Sequence, residues 1–266
     1  MPLKTQPHLR TTIARGFDLP PPYRLVTLRE VGDAFVHATA IAAENGAGTL
    51  VHVGRFDLAE FAVVLEPDEP LRTARRAIYA GICALGDALA ACAPPEKAIT
   101  FEWPDAILVD GGLVGGARLA WPAAADEDQP PAWLVFGAMI RLVAMGEEEP
   151  GLRPLAAALE DEGFNDLDGH ALVQSFTRHL MAAFDISQEK GFGEIGRSYL
   201  SRLAPEKAKL GKVGRSERSH GVRRDLDQEG NLLIRHSGTG KFERRSLIEA
   251  LAIPSWLDPV SGGPKR

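Results

Sequence analysis

The sequence predicts an α+β fold, a mixed β-sheet with packed helices followed by a small β-barrel. Up to about residue 205, stretches with helical apolar spacing stand between short strand-like runs, a pattern typical of helices packed on a sheet. Beyond that point, short apolar pairs alternate with Gly, Asp and Asn turns, as they do in small barrels. We therefore divide the chain into an N-terminal extension at 1–24, a main domain at 25–205, a small β domain at 206–256 and a disordered tail at 257–266.

The elements of the main domain follow from its apolar periodicity. Helical spacing predicts helices at 29–44, at 71–92, near 152–163, at 168–184 and at 193–203. Runs rich in β-branched and aromatic residues predict strands at 49–53, 61–67, 98–103 and 133–143. The stretch 105–119 predicts a hairpin that turns at Asp110-Gly111-Gly112.

Composition and charge narrow the class of protein. The 266 residues are 45% hydrophobic and 25% charged, which is ordinary for a soluble globular chain. No apolar run approaches the roughly 20 residues that cross a bilayer. We expect a cytoplasmic protein with no membrane partner, in which Cys83 and Cys92 are buried thiols. No His, Cys or Asp cluster has the spacing of metal ligands, so no metal site is expected.

The charge is unevenly distributed along the chain. Residues 1–188 carry 14 Lys/Arg and 26 Asp/Glu, whereas residues 189–250 carry 14 Lys/Arg and 9 Asp/Glu. A basic segment can meet nucleic acid or an acidic protein. Aromatic residues do not interleave with these basic charges in a nucleic-acid-binding pattern, so nucleic acid is not an expected partner. The simpler interpretation is that these charges solvate a small β module.

Paired glycines interrupt one of the predicted strands. In FEWPDAILVDGGLVGGARLAW (101–121), Gly115-Gly116 stands where a strand would otherwise continue. Glycine weakens a strand and marks a place where something approaches the backbone closely. One interpretation is a ligand that lies against the strand; the other is a β-bulge or tight sheet crossing without a ligand.

Several motifs in order along the chain carry a family resemblance. They are Trp103-Pro104-Asp105-Ala106, Asp110-Gly111, Leu113-Val114-Gly115-Gly116, the strand from Val135 to Arg141 and the stretch from Asp227 to Leu233. Over about residues 25–250 the sequence resembles the biotin and lipoate protein ligase superfamily, on the biotin-ligase side, in a divergent branch with a C-terminal SH3-like extension.

The resemblance implies a fold, a ligand and a partner. The fold would be the mixed sheet of class II synthetases and biotin ligases, followed by an SH3-like barrel. The ligand would be a biotin-, lipoate- or octanoate-type acyl group. The partner would be a biotinyl or lipoyl carrier domain whose lysine accepts that group. Some members of the superfamily form homodimers, which leaves a homodimer open here.

The sequence departs from the family pattern where adenylation takes place. Leu113 stands at the position of the family's strand lysine, and Arg141 at that of an asparagine. Asp33-Ala34-Phe35 replaces an early Ser-Thr-Asn motif, and the run from Gly48 that resembles the phosphate loop holds only His52 and Arg55 as cationic groups. Losing a cation that stabilises a transition state typically lowers the rate by about 10²–10³. These departures argue against the use of ATP and Mg²⁺ in the usual form.

The candidate site residues come from these motifs and from nearby charges. The candidates for cofactor binding are Gly48, His52, Arg55, Trp103, Asp105, Gly115, Gly116, Arg118 and Arg141, and those for catalysis are Arg118 and Asp105. Each has a simpler alternative. Arg118 could form a surface salt bridge and Asp105 a turn, His52 could be a half-exposed strand residue, and Trp103 could pack in the core. A buried Arg141 requires a partner, for which Asp105 or a ligand carboxylate would serve.

Three functions remain open at the level of sequence. The first is a divergent protein ligase or acyltransferase that attaches an acyl cofactor to a carrier lysine. The second is a catalytically inactive relative that binds an acyl cofactor, a nucleotide or a carrier domain. The third is a scaffold that binds partners through its basic C-terminal barrel.

Overall fold

The computed structural model describes residues 16–29, 32–145, 156–165, 167–205, 222–237 and 239–265. Its strands are β1 (Arg24–Arg29), β2 (Thr49–Gly54), β3 (Leu58–Leu65), β4 (Ile99–Glu102), β5 (Ala106–Val109), β6 (Gly112–Ala120), β7 (Leu134–Arg141), β8 (Val222–Leu226), β9 (Leu232–His236) and β10 (Phe242–Arg245). Its helices are α1 (Ala34–Asn45), α2 (Leu71–Ala74), α3 (Ala77–Ala90), α4 (Gly169–Lys190), α5 (Phe192–Ser201) and α6 (Leu247–Leu251).

The first seven strands form one mixed sheet in the order β1-β2-β3-β7-β6-β5-β4. β1 pairs with β2 in parallel, and the remaining neighbours are antiparallel. The central strands β3 and β7 are apolar at nearly every position and buried along almost their whole length, as expected for strands that are covered on both faces.

Different elements cover the two faces of this sheet. α3, α4 and α5 pack on one face with Phe61, Phe136 and Phe176 at the centre of the main hydrophobic core. On the other face, α1 packs its alanines against Val51, Val53 and Val64. Asp33 caps α1 by accepting hydrogen bonds from the N–H groups of Phe35 and Val36, so the position of this helix start is fixed.

The last three strands form a separate antiparallel sheet in the order β10-β9-β8. The Tyr79 hydroxyl of α3 donates to the carbonyl of Gly230 over 2.5 Å, and Arg224 donates to the carbonyl of Ala204 over 2.7 Å. These bonds hold the small sheet against the helical layer. The structure thus shows three strands where we expect a barrel, and residues 206–221 of that expected barrel lie outside the described residues.

The α+β class with packed helices is confirmed, and the differences are local. The helix expected at 71–92 is broken at Arg75-Arg76, and the described part of the helix expected near 152–163 consists of turns. Cys83 is buried, whereas Cys92 is exposed. None of the helices among the described residues is long and apolar enough to span a membrane.

Candidate functional site

Two rows of side chains cross the sheet face that lies opposite α3 and α4. Strand pairing places one row at Val53, Glu60, Met139, Gly116 and Ala106. The neighbouring row is Val51, Ala62, Gly137 and Arg118. Residues directly opposite each other on paired strands share a face. The two rows therefore bring together residues that lie up to 86 positions apart (Val53 to Met139).

Gly115 allows β6 to approach the backbone of β7. Its φ is +156°, and a Cβ added there would lie 1.9 Å from the carbonyl oxygen of Met139. The register between β5 and β6 shifts beside it, between Ile107 and Leu108. Gly115 therefore fits the bulge interpretation, because the absence of a Cβ avoids a clash between β6 and the backbone of β7.

Gly116 makes room for an aromatic ring. A Cβ at this position would lie 2.3 Å from Cδ1 and 2.5 Å from Nε1 of Trp256, and 2.3 Å from the carbonyl oxygen of Asp105. The Trp256 side chain is 0% exposed, and its Nε1 donates to the carbonyl of Ala117 over 2.9 Å. A bicyclic ring with an N–H donor thus lies directly on the backbone of β6.

Asp105 holds the residue before this tryptophan. Its carboxylate accepts the backbone N–H of Ser255 over 3.0 Å and the Ser255 hydroxyl over 2.6 Å. Asp105 is 1% exposed, and this burial raises the pKa of its carboxyl to about 6 although both Ser255 bonds act to lower it. A carboxyl with this pKa changes its charge near neutral pH.

Arg141 contacts the end of the same segment. Its Nη2 donates to the carbonyls of Pro264 and Lys265 over 2.6 and 3.0 Å, and its Nη1 donates to the carbonyl of Ala157 over 3.1 Å. Asp105, one of the two partners that we expect from the sequence, bonds Ser255 instead. We call residues 255–265 the C-terminal segment. It is ordered against the sheet, whereas the sequence predicts disorder from residue 257.

Arg118 binds the start of α1. Its guanidinium donates to both carboxylate oxygens of Asp33 over 2.8 and 3.0 Å and lies 4.5 Å from the ring centre of Phe35. Burial acts to raise the pKa of Asp33, but Arg118 and the capped N–H groups lower it overall. Arg118 therefore forms a salt bridge, as the simpler alternative expects, and its partner is Asp33, the residue that caps α1.

Glu60 lies in the same row as Gly116 and has no signal in the sequence. Its carboxylate accepts the backbone N–H of Ala34 over 2.8 Å and is 2% exposed. Burial raises the pKa of this carboxyl. In an apolar strand such as AEFAVVL, a single glutamate gives no indication of the face it occupies until the register is known.

Two further candidates, His52 and Trp103, lie away from this face, whereas the Arg55 guanidinium lies 3.9 Å from the Glu60 carboxylate. His52 faces the α4 side, contrary to the half-exposed position that we expect, and is 2% exposed beside Phe17 and His170 at ring distances of 5.0 and 5.1 Å. Burial and the neighbouring His170 lower its pKa to about 4. Trp103 donates to the Tyr79 hydroxyl over 2.9 Å.

The run that resembles a phosphate loop is a strand. Residues 49–54 form β2, and only residues 55–57 connect it to β3. Gly48 has φ +80° and lies against Pro22, and Arg55 binds Asp57 over 2.8 and 3.0 Å. A three-residue turn is too short to wrap a triphosphate as a glycine-rich loop does. The interpretation of Gly48 to Arg55 as a phosphate loop is therefore wrong.

A cavity of about 850 Å³ opens at the end of β2. It is lined by residues that include His52, Arg55, Phe164, Asn165 and His170. Asp57, Glu160 and Asp168 also line it, so Arg55 is outnumbered by carboxylates there. Of the sequence candidates, only His52 and Arg55 reach this cavity.

The charge on the Gly116 face suits a neutral polar ring. Apart from the C-terminal segment, the charged groups there are the guanidiniums of Arg55, Arg118 and Arg141, which do not outnumber the carboxyls of Asp33, Glu60 and Asp105. Polyphosphates bind where cations and free backbone N–H groups exceed acids. Carboxyls and strand carbonyls instead accept N–H groups. Leu113, at the position of the family lysine, packs beside Trp256 and adds no charge.

Sequence reasoning missed Trp256, which completes this site. A tryptophan is rarely left exposed because it buries 150–250 Å² when it packs. Applied to AIPSWLDP, this rule predicts that Trp256 is buried in the fold, but it does not say against which element. Its partner on β6 lies 140 residues earlier, and no local pattern links the two.

Comparisons with known proteins agree on one family and one fold. Residues 19–201 match the model of the biotin/lipoate A/B protein ligase family. A biotin–[acetyl-CoA-carboxylase] ligase of Paracoccus denitrificans is 28% identical over 181 residues, which are 65% of this chain and 72% of that protein. A biotin protein ligase-like protein of unknown function from Silicibacter sp. TM1040 superposes with a TM-score of 0.72 at 27% identity, over 88% of this chain and 98% of that one. Biotin protein ligase from Aquifex aeolicus shares the fold, with a TM-score of 0.60 at 18% identity over 84% and 99% of the two chains.

Proposed function

Because the chain belongs to the biotin/lipoate A/B protein ligase family, we propose that it is a ligase-type acyltransferase. It holds an acyl cofactor on the Gly116 face and transfers it to a lysine of a carrier protein. The carrier would be a biotinyl domain or, for another acyl group, a lipoyl domain. A cytoplasmic location and a homodimer are further parts of the proposal that rest on the family resemblance.

The observation that carries this proposal is how the Trp256 indole lies on Gly116. The indole is a bicyclic ring whose N–H donates to the strand carbonyl of Ala117 over 2.9 Å. The fused ring of biotin is also bicyclic and carries N–H donors on its ureido group. A dithiolane ring and an octanoyl chain have no such donor, so the Ala117 carbonyl would stay unpaired beneath them. The geometry favours a biotin-type ring over a lipoyl or octanoyl group.

The acyl donor is proposed to arrive already activated. The short β2–β3 turn and Leu113 leave the triphosphate of ATP without a glycine-rich loop or a strand lysine. The acyl phosphate of an acyl-adenylate carries a single negative charge, so this donor needs fewer cations than ATP does. We propose that Arg141, whose guanidinium donates to the carbonyls of the C-terminal segment, binds that charge when the segment has left.

Asp105 is proposed to remove a proton during transfer. The lysine amine attacks the acyl carbonyl, an amide bond forms, the bond from the carbonyl to the phosphate oxygen breaks, and AMP leaves. The proton lost by the amine passes to the Asp105 carboxylate. A carboxylate that is ionised at neutral pH can accept this proton as a general base.

Intact mass spectrometry of a carrier domain tests this function. The full-length protein is incubated with a biotinyl carrier domain and either biotin with ATP and Mg²⁺ or preformed biotinyl-adenylate, and a reaction without the protein measures spontaneous acylation. The account predicts a biotinyl mass shift above that background with the adenylate, reduced at least tenfold by Asp105→Asn. Transfer no faster than the background, from folded protein that binds the adenylate, would exclude the transferase.

A second candidate function is a binding protein that does not transfer the acyl group. Leu113 favours it, because leucine cannot neutralise an acyl carboxylate or phosphate as the family lysine does. Calorimetric titration with biotin, lipoate and ATP separates the two functions. Cofactor binding without any carrier modification would support the binding protein.

A further inference from the structure

We propose that the C-terminal segment is a displaceable strap that occupies the acyl site and must leave before an acyl ligand can bind. This proposal rests on the proposed function, since it concerns the regulation of the same site. It assigns residues 255–265 the role of an intramolecular competitor.

The segment occupies the face at three anchor points. Ser255 binds the Asp105 carboxylate, Trp256 lies on Gly116 and donates to Ala117, and the carbonyls of residues 264 and 265 accept Arg141. Each anchor engages a residue that the sequence marks as a site candidate or its neighbour. Because Trp256 is completely buried, a ring cannot lie on Gly116 while the indole is there.

The packing of the segment is separate from the main core. The buried side chains around Trp256 are Leu58, Ala106 and Met139, which form a small cluster of their own. The residues that lead from α6 to the segment are mostly exposed, with Ile253 at 81%. Undocking would therefore open this cluster and leave the core between the sheet and α3 and α4 intact.

Bonds within the segment would keep its shape when it leaves. The N–H of Lys265 donates to the carbonyl of Trp256 over 2.8 Å, and the N–H of Asp258 donates to the carbonyl of Gly263 over 2.9 Å. The Ser261 hydroxyl bonds Asp258 inside the segment. On the outer side Val260 is 94% exposed. The segment is thus a small closed unit that can move as one body.

A pair of serine substitutions tests the strap. Ser255→Ala removes one hydrogen bond to a buried carboxylate, whereas Ser261→Ala removes a bond internal to the segment. The apparent affinity of a ligand that competes with the strap is proportional to the fraction of protein in which the strap is undocked. Losing a hydrogen bond to a charged group corresponds to about tenfold or more in the docking equilibrium. We expect Ser255→Ala to bind biotin and a non-hydrolysable biotinyl-adenylate analogue about tenfold more tightly than the wild type, and Ser261→Ala to bind them as the wild type does.

Hydrogen exchange of the wild-type protein provides a second measurement that needs no variant. Saturation with the adenylate analogue should raise exchange across residues 255–265. Equal affinity in both variants, or a segment that stays protected when the analogue is bound, would overturn the strap.

Different experimental results would overturn the proposed function and the strap proposal. If neither biotin nor the analogue binds any variant, the acyl ligand is wrong. The strap is then judged by exchange without ligand. Ser255→Ala should raise exchange of residues 255–265 about tenfold over Ser261→Ala, and unchanged exchange would show that the segment is a fixed part of the fold.

Discussion

The Trp256 indole lies directly on Gly116, and its Nε1 donates to the carbonyl of Ala117 over 2.9 Å. The absence of a side chain at Gly116 is thus explained by the close approach of an aromatic ring, and this ring belongs to the chain itself. This relationship connects the family motif on β6 to the C-terminal segment. In the proposed function, a bicyclic ligand ring with a polar edge takes the place of this indole on the strand.

Replacing Gly116 should displace the C-terminal segment. A Cβ in Gly116→Ala would lie 2.3 Å from both the indole and the Asp105 carbonyl, so the indole and the hairpin must shift. Overpacking of this kind lowers the free energy of unfolding by about 1–3 kcal/mol. Denaturant unfolding and exchange of residues 255–265 measure the effect. Gly193→Ala is the control, because nothing lies within 4 Å of its new Cβ; equal behaviour of the two variants would contradict the close contact.

Docking of the C-terminal segment should weaken as the pH rises. The pKa of Asp105 is about 6 in the docked state, above the value of about 3.9 for an exposed aspartate. Docking is therefore fully favoured below about pH 4 and loses stability as the pH rises through 6, by at most about 100-fold in the equilibrium. Hydrogen exchange of the segment between pH 4.5 and 7.5, corrected for intrinsic exchange rates, measures it. Asp105→Asn should remove the dependence, and a segment that docks more firmly at high pH would refute it.

Arg118→Lys should loosen the start of α1. Lysine cannot reproduce the two parallel bonds to Asp33 or the stacking on Phe35. We expect a loss of about 1–3 kcal/mol in the free energy of unfolding. Arg72→Lys is the matched control, because its ion pair with Asp128 is exposed on both sides and should change stability by about 0–1 kcal/mol. A double-mutant cycle with Asp33→Asn isolates the pair, and a coupling near zero would show that Arg118 and Asp33 do not stabilise one another.

Tyr79→Phe should loosen the three-stranded sheet. The Tyr79 hydroxyl donates to the Gly230 carbonyl over 2.5 Å and accepts from Trp103 over 2.9 Å, so its loss leaves a buried carbonyl and a half-buried indole N–H unpaired. A cost of about 1–3 kcal/mol is expected, with faster proteolysis in residues 222–251. Tyr23→Phe removes a longer bond of 3.3 Å to Thr177 and should leave proteolysis of that region unchanged. Equal proteolysis of the two variants would argue that the sheet is held by other contacts.

The sequence predicts those parts of the fold that depend on local periodicity. The 3.6-residue spacing in α3 and the alternation through β5 and β6 place these elements near their observed bounds. The break at Arg75-Arg76 is set by tertiary packing, so local pattern predicts a continuous helix there, whereas the strand predicted at 49–53 matches β2 (Thr49–Gly54). Gly115 and Gly116 could be singled out because glycine is unusual inside a strand.

The candidate site could be predicted only in part, because its members meet through the register of the sheet. Glu60 and Met139 join the same row as Gly116 only once the three strands β3, β7 and β6 are aligned. Ser255 and Trp256 reach the site from the far end of the chain. Their bonds to Asp105 and Ala117 span 150 and 139 residues, and no spacing rule covers such a contact.

The indole N–H resonance of Trp256 tests the central claim most directly. The chain has four tryptophans, so Trp256→Phe assigns this one signal among four in an NMR spectrum of labelled protein. A titration with the non-hydrolysable biotinyl-adenylate analogue, followed to saturation by calorimetry, should move the Trp256 signal to the position of a solvent-exposed indole while the Trp133 signal stays in place. Saturation of the protein with the Trp256 signal unmoved would show that the ligand site lies elsewhere and that the ring on Gly116 is a permanent part of the fold.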